Sequence, residues 1–122
     1  VGYFDVDFIA EKAGEIFVSE SNVRVTGGTH VYEAGKELVG RNFTKKVYVL
    51  SNNMWKIPTK KVYKFSEMKR TLKEILFSRK TKEGVVICSS NLLADGYLSY
   101  IIFGKNKKRA EEIETRMKEL LG

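Results

Sequence analysis

Apolar positions recur along the chain at two spacings, and the switch between them marks out the elements. In residues 3–13, Phe4, Phe8 and Ile9 share a helical face, Asp5 or Asp7 can accept backbone N–H bonds at the N-terminus, and Gly14 suits a left-handed exit. A short helix is predicted there. Glu15–Ser19 and Val23–Thr26 are rich in β-branched and aromatic residues and flank Glu20-Ser-Asn22, which predicts a hairpin ended by Gly27-Gly28. Val31, Ala34, Gly35 and Leu38 return to helical spacing between Thr29 and Gly40, so a helix over 30–39 is preferred to a strand at His30-Val-Tyr32. Gly35 costs that helix about 1 kcal/mol.

Farther on, Ser66–Ser78 predicts a helix with Ser66 as cap, Glu67 at the positive end of the dipole, and Met68, Leu72, Ile75 and Leu76 on one face. After the charged exit 79–84, Val85–Cys88 and Tyr97–Phe103 are apolar at both parities, as strands covered on both faces require, and should form the centre of the sheet. Asn91–Gly96 supplies the turn between them. Asn106–Leu121 is amphipathic, with Ala110, Ile113, Met117, Leu120 and Leu121 in one stripe and Gly122 at its end. The predicted class is α+β: an antiparallel sheet built from hairpins, helices packed on one side, and a long C-terminal amphipathic helix. At 122 residues a single domain, 1–122, is expected.

Between these elements lies an internal echo. Thr44-Lys-Lys-Val-Tyr-Val-Leu-Ser51 returns fifteen positions later as Thr59-Lys-Lys-Val-Tyr-Lys-Phe-Ser66, with the single Trp and single Pro between the copies. Two pairings are open. A tight Asn52-Asn53 turn would pair 44–51 with 54–63, whereas a loop over 51–58 would face the copies directly. Pro58, which lacks a donor, implies an edge strand in either case, and such an edge offers a route to a homo-oligomer.

Charge changes the picture more than composition does. Residues 1–40 carry three basic and seven acidic side chains, a net of −4; residues 41–82 carry thirteen and two, a net of +11; residues 83–122 carry six of each. The middle third thus holds more than the whole excess of +7, the electrostatic footprint expected of a polyanion-binding surface. Lys45, Lys46, Lys56, Lys60, Lys61 and Lys64 on the predicted hairpin 44–64, with Lys69, Arg70 and Lys73 on the helix that follows, would neutralise phosphates. Tyr48, Trp55 and Tyr63 would stack on bases. The expected partner is DNA or RNA. Lys105, Lys107, Lys108 and Arg109 also crowd the start of the last helix, where a bound anion would relieve them.

Candidate chemistry is sparse. Cys88 stands alone within an apolar run and is expected to be a buried, inert thiol; an internal disulfide is excluded, and a reducing, cytoplasmic setting is expected. His30 is the single histidine, at the first turn of the predicted helix, and neither zinc spacing nor a phosphate-binding glycine loop occurs. No catalytic residue, metal or cofactor is expected. No apolar run approaches the 18 residues of a membrane-spanning helix.

Two resemblances give alternatives. Gly2-Tyr-Phe-Asp-Val-Asp7 and Leu92-Leu-Ala-Asp-Gly96 faintly resemble the helix-ending motif of LAGLIDADG homing endonucleases. That likeness implies metal-dependent phosphodiester cleavage with Asp7 and Asp95 as ligands, although Phe8 stands where the family has glycine. Several short strands closing in one long amphipathic helix, with lysines near a strand loop, loosely resemble pleckstrin-homology domains, which implies acidic lipid headgroups or protein partners.

Overall fold

Tyr97-Leu-Ser-Tyr-Ile-Ile-Phe-Gly104 carries bulky residues at both parities, and in the computed structural model, which describes residues 2–22 and 28–122, it is the best-covered strand of an α+β chain. The elements run β1 (Asp5–Ala10), β2 (Ile16–Asn22), α1 (Thr29–Leu38), α2 (Phe43–Lys46), β3 (Tyr48–Lys56), α3 (Phe65–Thr71), β4 (Gly84–Ser89), β5 (Tyr97–Gly104) and α4 (Lys107–Leu121). Short 3-10 turns cover Lys73–Ile75 and Asn91–Asp95. Contacts group the chain into two compact units, Val1–Glu33 and Ala34–Gly122.

In the second unit β5 lies between β3 and β4, antiparallel to both. Leu98, Tyr100 and Ile102 of β5 join Met68 from α3, Leu72 just past its end, and Ala110, Ile113, Met117 and Leu121 from α4 in one buried cluster, so both helices cover the same face of the sheet. On the opposite parity Phe103 meets Phe77 edge-on, with ring centroids 5.5 Å apart. Asn106 begins α4 by accepting the Arg109 backbone N–H at 2.8 Å, and Gly122 closes it. Gly104 ends β5 where the helix comes close: a Cβ there would lie 2.6 Å from the Ala110 nitrogen. Only a residue without a side chain fits that approach.

β3 departs from the expected hairpin. It runs straight through Asn52-Asn53, with a bulge between Asn52 and Trp55, and pairs with β5 from Tyr48↔Gly104 to Lys56↔Tyr97. Asn53 and Met54 lack register partners there, and Met54 N donates to the Asn52 side-chain oxygen at 3.0 Å, so the Asn pair shapes a bulge and not a reversal. The Thr-Lys-Lys-Val-Tyr copies never face each other: the first forms α2 and enters β3, and the second is a loop leading to α3. β3 is an edge strand, and so is β4, which was expected at the centre.

The helix expected at 66–78 is shorter. It starts at Phe65, ends by Leu72 and gives way to the 3-10 turn, so Ile75 and Leu76 pack from beyond it. Ser66 is not its cap: Glu67 accepts the Lys64 backbone N–H at 3.1 Å and holds the first turn from position 64. Cys88 is exposed, contrary to the expected burial. The β4 register passes from Ile87↔Tyr100 to Ser89↔Ser99 and leaves Cys88 without a partner, a bulge that breaks the alternation of the apolar run.

The first unit corrects two further expectations. Residues 5–10 form a strand in place of the helix, and Glu20–Asn22 continues β2 in place of a turn; Val23–Thr26 lies outside the described residues. β1 and β2 pair from Asp5↔Asn22 to Ala10↔Ile16, and the reversal falls at Glu11–Glu15, where Gly14 adopts φ +90°. The same Gly14 that would end a helix closes a hairpin. α1 forms as expected, with His30 exposed in its first turn. Its weak link, Gly35, is there for packing: a Cβ would meet the Phe43 ring at 2.6 Å.

Candidate functional site

The basic segment is split by the geometry of β3. Lys45 and Lys46 end α2 at one end of the strand, and Lys56 ends the strand itself at the other. The loop 57–64 continues from Lys56, tied to the sheet where Ile57 N donates to Gly96 O at 2.9 Å. Lys56, Lys60 and Lys61 line an open cavity of about 570 Å³ with Ile57, Pro58 and Val62 on one side and Ala94, Asp95 and Gly96 on the other. Asp95 is the one carboxylate on its wall.

Lys64, Lys69 and Arg70 follow on and beside α3, and Lys73 lies in the 3-10 turn; all four are exposed. Glu67 reports how tightly some of these cations gather. The Lys64 backbone N–H, against some desolvation, and the charges of Lys61, Arg70 and Lys64 hold its carboxyl below the usual range. Among the described residues, none of Lys45, Lys46, Lys56, Lys60, Lys61, Lys64, Lys69, Arg70 and Lys73 forms an ion pair within 4 Å. The contrast is α4, where Lys107 pairs with Glu111, Arg109 with Glu83 and Glu112, Arg116 with Glu119, and Lys118 with Glu114.

The three aromatic candidates are less available than the lysines. Tyr63 is 8% exposed and belongs to the core, with the Lys61 ammonium 4.7 Å from its ring centroid. Trp55 is half-buried and stands edge-on to Tyr100 at 6.4 Å. Tyr48 keeps 38% of its surface, but at the far end of β3 from the other two. Of the candidate side chains, the lysines are thus the more exposed and the aromatics the more buried.

The cations noted in sequence at the start of the last helix are placed by the sheet register. The register Tyr48↔Gly104 sets Lys105, the residue after β5, at the same end of the β3–β5 pair as Lys45 and Lys46, which precede β3. Part of that cluster is already answered: Glu83 accepts the Lys105 backbone N–H at 3.2 Å and pairs with Arg109 Nε at 3.3 Å, filling the anion's place at the helix start. The alternatives from resemblance do not form. Asp7 lies within β1 and Asp95 closes a 3-10 turn, so neither ends an α-helix, and among the described residues no group of three or more His, Cys, Asp or Glu is placed to hold a metal. The three-stranded open sheet is not a pleckstrin-homology barrel.

The family model described as the PGM1 C-terminal domain matches residues 72–117, less than half of the chain. The match runs from the end of α3 through β4 and β5 into α4, and leaves the basic stretch from Lys45 to Arg70 outside it. No curated protein matches the chain. Among the described residues no helix is long and apolar enough to cross a membrane.

Proposed function

We propose that the second unit is a non-enzymatic module that binds nucleic acid through its phosphates, using the loop 56–64 and α3. One observation carries this reading: the exposed cations from Lys56 to Lys73 lack ion-pair partners among the described residues, whereas most of those on α4 are paired along their own helix. Unneutralised surface charge of one sign raises the self-repulsion of the fold, and a polyanion relieves it by releasing its own counterions. A cytoplasmic setting goes with this reading.

The matched family is described as a C-terminal domain, and this supports reading the module as an appendage of a larger protein. The first unit fits that picture. In β1 and β2, Phe8, Ile9, Ile16, Phe17 and Val18 are all exposed, and Phe4 just before them keeps 74% of its surface. A two-stranded ribbon that is apolar on both faces is marginal in water and belongs under further cover.

Titration of labelled single-stranded DNA, duplex DNA and RNA against the chain at several salt concentrations tests the reading. Binding whose logarithmic affinity falls linearly with the logarithm of salt is expected, and absence of binding to all three at low salt defeats it.

A further inference from the structure

We propose, resting on that reading, that the ligand is a nucleic-acid duplex whose axis lies along the free edge of β3 and whose phosphates bridge the two lysine clusters at its ends. Three observations converge on the edge. From Leu38 to Ser66 the chain contains neither Asp nor Glu, so the strand and both its flanks present no carboxylate of their own. β3 is the last strand of its sheet, with no strand on its other edge among the described residues, and Ser51, Asn52, Asn53 and Met54 are exposed along its middle. The clusters stand at opposite ends: Lys45, Lys46 and Lys105 at the Tyr48 end, and Lys56, Lys60 and Lys61 at the Trp55 end.

The edge thus forms an uncharged track between two positive poles. Nine residues of strand span roughly 27 Å. At about 3.4 Å of helix axis per phosphate on one strand, that distance corresponds to about 8 base pairs. A duplex suits the surface better than an unstacked single strand, because the Tyr63 ring is buried, Trp55 is half-buried, and the more exposed Tyr48 stands at the far end of β3 from both. Contacts to phosphate alone need no unstacking, and they carry no base preference.

Stem-loop DNAs with 5, 10 and 15 base pairs, titrated by fluorescence anisotropy against the intact chain, test the bridge. Affinity is expected to rise sharply between 5 and 10 base pairs and little thereafter. Lys45→Ala with Lys46→Ala should lower affinity for the 15-pair stem roughly tenfold and reduce its salt slope by about 1.8, since each phosphate contact contributes about 0.9. Both lysines are exposed on α2, so circular dichroism of the double variant should match the parent. Equal affinity for 5 and 15 pairs, an unchanged slope in the double variant, or tighter binding of a single strand of equal length overturns the bridge and leaves phosphate binding standing. A concentration-dependent dimer that competes with DNA would assign the edge to a second copy and overturn it as well. Absence of binding to every stem and strand overturns this inference and the proposed function together.

Discussion

Tyr100 shows how much chemistry a single strand position holds. Its hydroxyl donates to Glu114 Oε1 at 2.5 Å from within the core, and Lys118 Nζ completes the group 3.0 Å from the other carboxylate oxygen. Burial, the hydrogen bond and the charge of Glu114 together push the phenol well above its ordinary value. Burial opposes ionisation of Glu114, but the Tyr100 hydroxyl and the Lys118 ammonium outweigh it and hold the carboxyl below the usual range. The two shifts act at opposite ends of the pH scale. The folded phenol keeps its proton where the unfolded one loses it, so stability should decline as pH rises above about 10; the depressed Glu114 should lose its contribution as pH falls through its folded value. Tyr100→Phe should destabilise the fold by about 1–3 kcal/mol, read from urea unfolding at neutral pH, and flatten the alkaline decline. An equal stability at neutral pH would contradict that account. None of this was legible in the sequence, where Tyr100 reads as one more large residue on a two-faced strand. The partner lies fourteen residues away on α4, and only the packing of helix on sheet brings them together.

Element by element, legibility followed the length and amphipathicity of each segment. α4, with a strong stripe, a cap and a terminal glycine, was plain. β5 was plain because both its faces are covered. The segment at 5–10 misled because Phe4 and Phe8 satisfy helical spacing as well as the alternation of a strand, and the pairing with β2 that decides between them is a tertiary fact. The Asn52-Asn53 pair misled for a similar reason: the same side chains that favour a tight reversal also suit a bulge when a long strand such as β5 lies alongside. The helix α3 tests the cap that replaced Ser66. Glu67→Gln should weaken the acid dependence of the first turn, because a carboxylate with a depressed value contributes above the ordinary carboxylate range and loses that contribution as pH falls. Amide exchange at Met68 between pH 3 and 7 would read this, and an unchanged profile would contradict it. The hairpin β1–β2 should behave differently from the second unit. Its amides are expected to exchange far faster than those of β5 in the 122-residue chain, since its apolar side chains lie open. Protection equal to that of β5 would show that the hairpin is covered.

For the whole molecule, the uneven charge of the chain becomes a shape. A net of +11 over residues 41–82 was legible as a number, and the sequence also showed which cations compose it. Hidden was their division into two groups by the length of β3, with Lys105 recruited to one of them through the β5 register. Equally hidden was the pairing that quiets α4, because an i, i+4 partner is visible in sequence but Glu83 beside Arg109 is not. The two groups predict that substitutions at either end of β3 weaken polyanion binding through the salt slope. Lys60→Ala with Lys61→Ala, at the cavity beside Asp95, should act as Lys45→Ala with Lys46→Ala does at the other end. Titration of a labelled 15-pair DNA stem with the parent chain and the Lys60, Lys61 double variant, from 20 to 200 mM salt, tests the central claim most directly. The account predicts a steep linear loss of affinity with salt for the parent and a slope lower by about 1.8 for the variant; superimposable lines, or no binding by the parent at 20 mM, would contradict it.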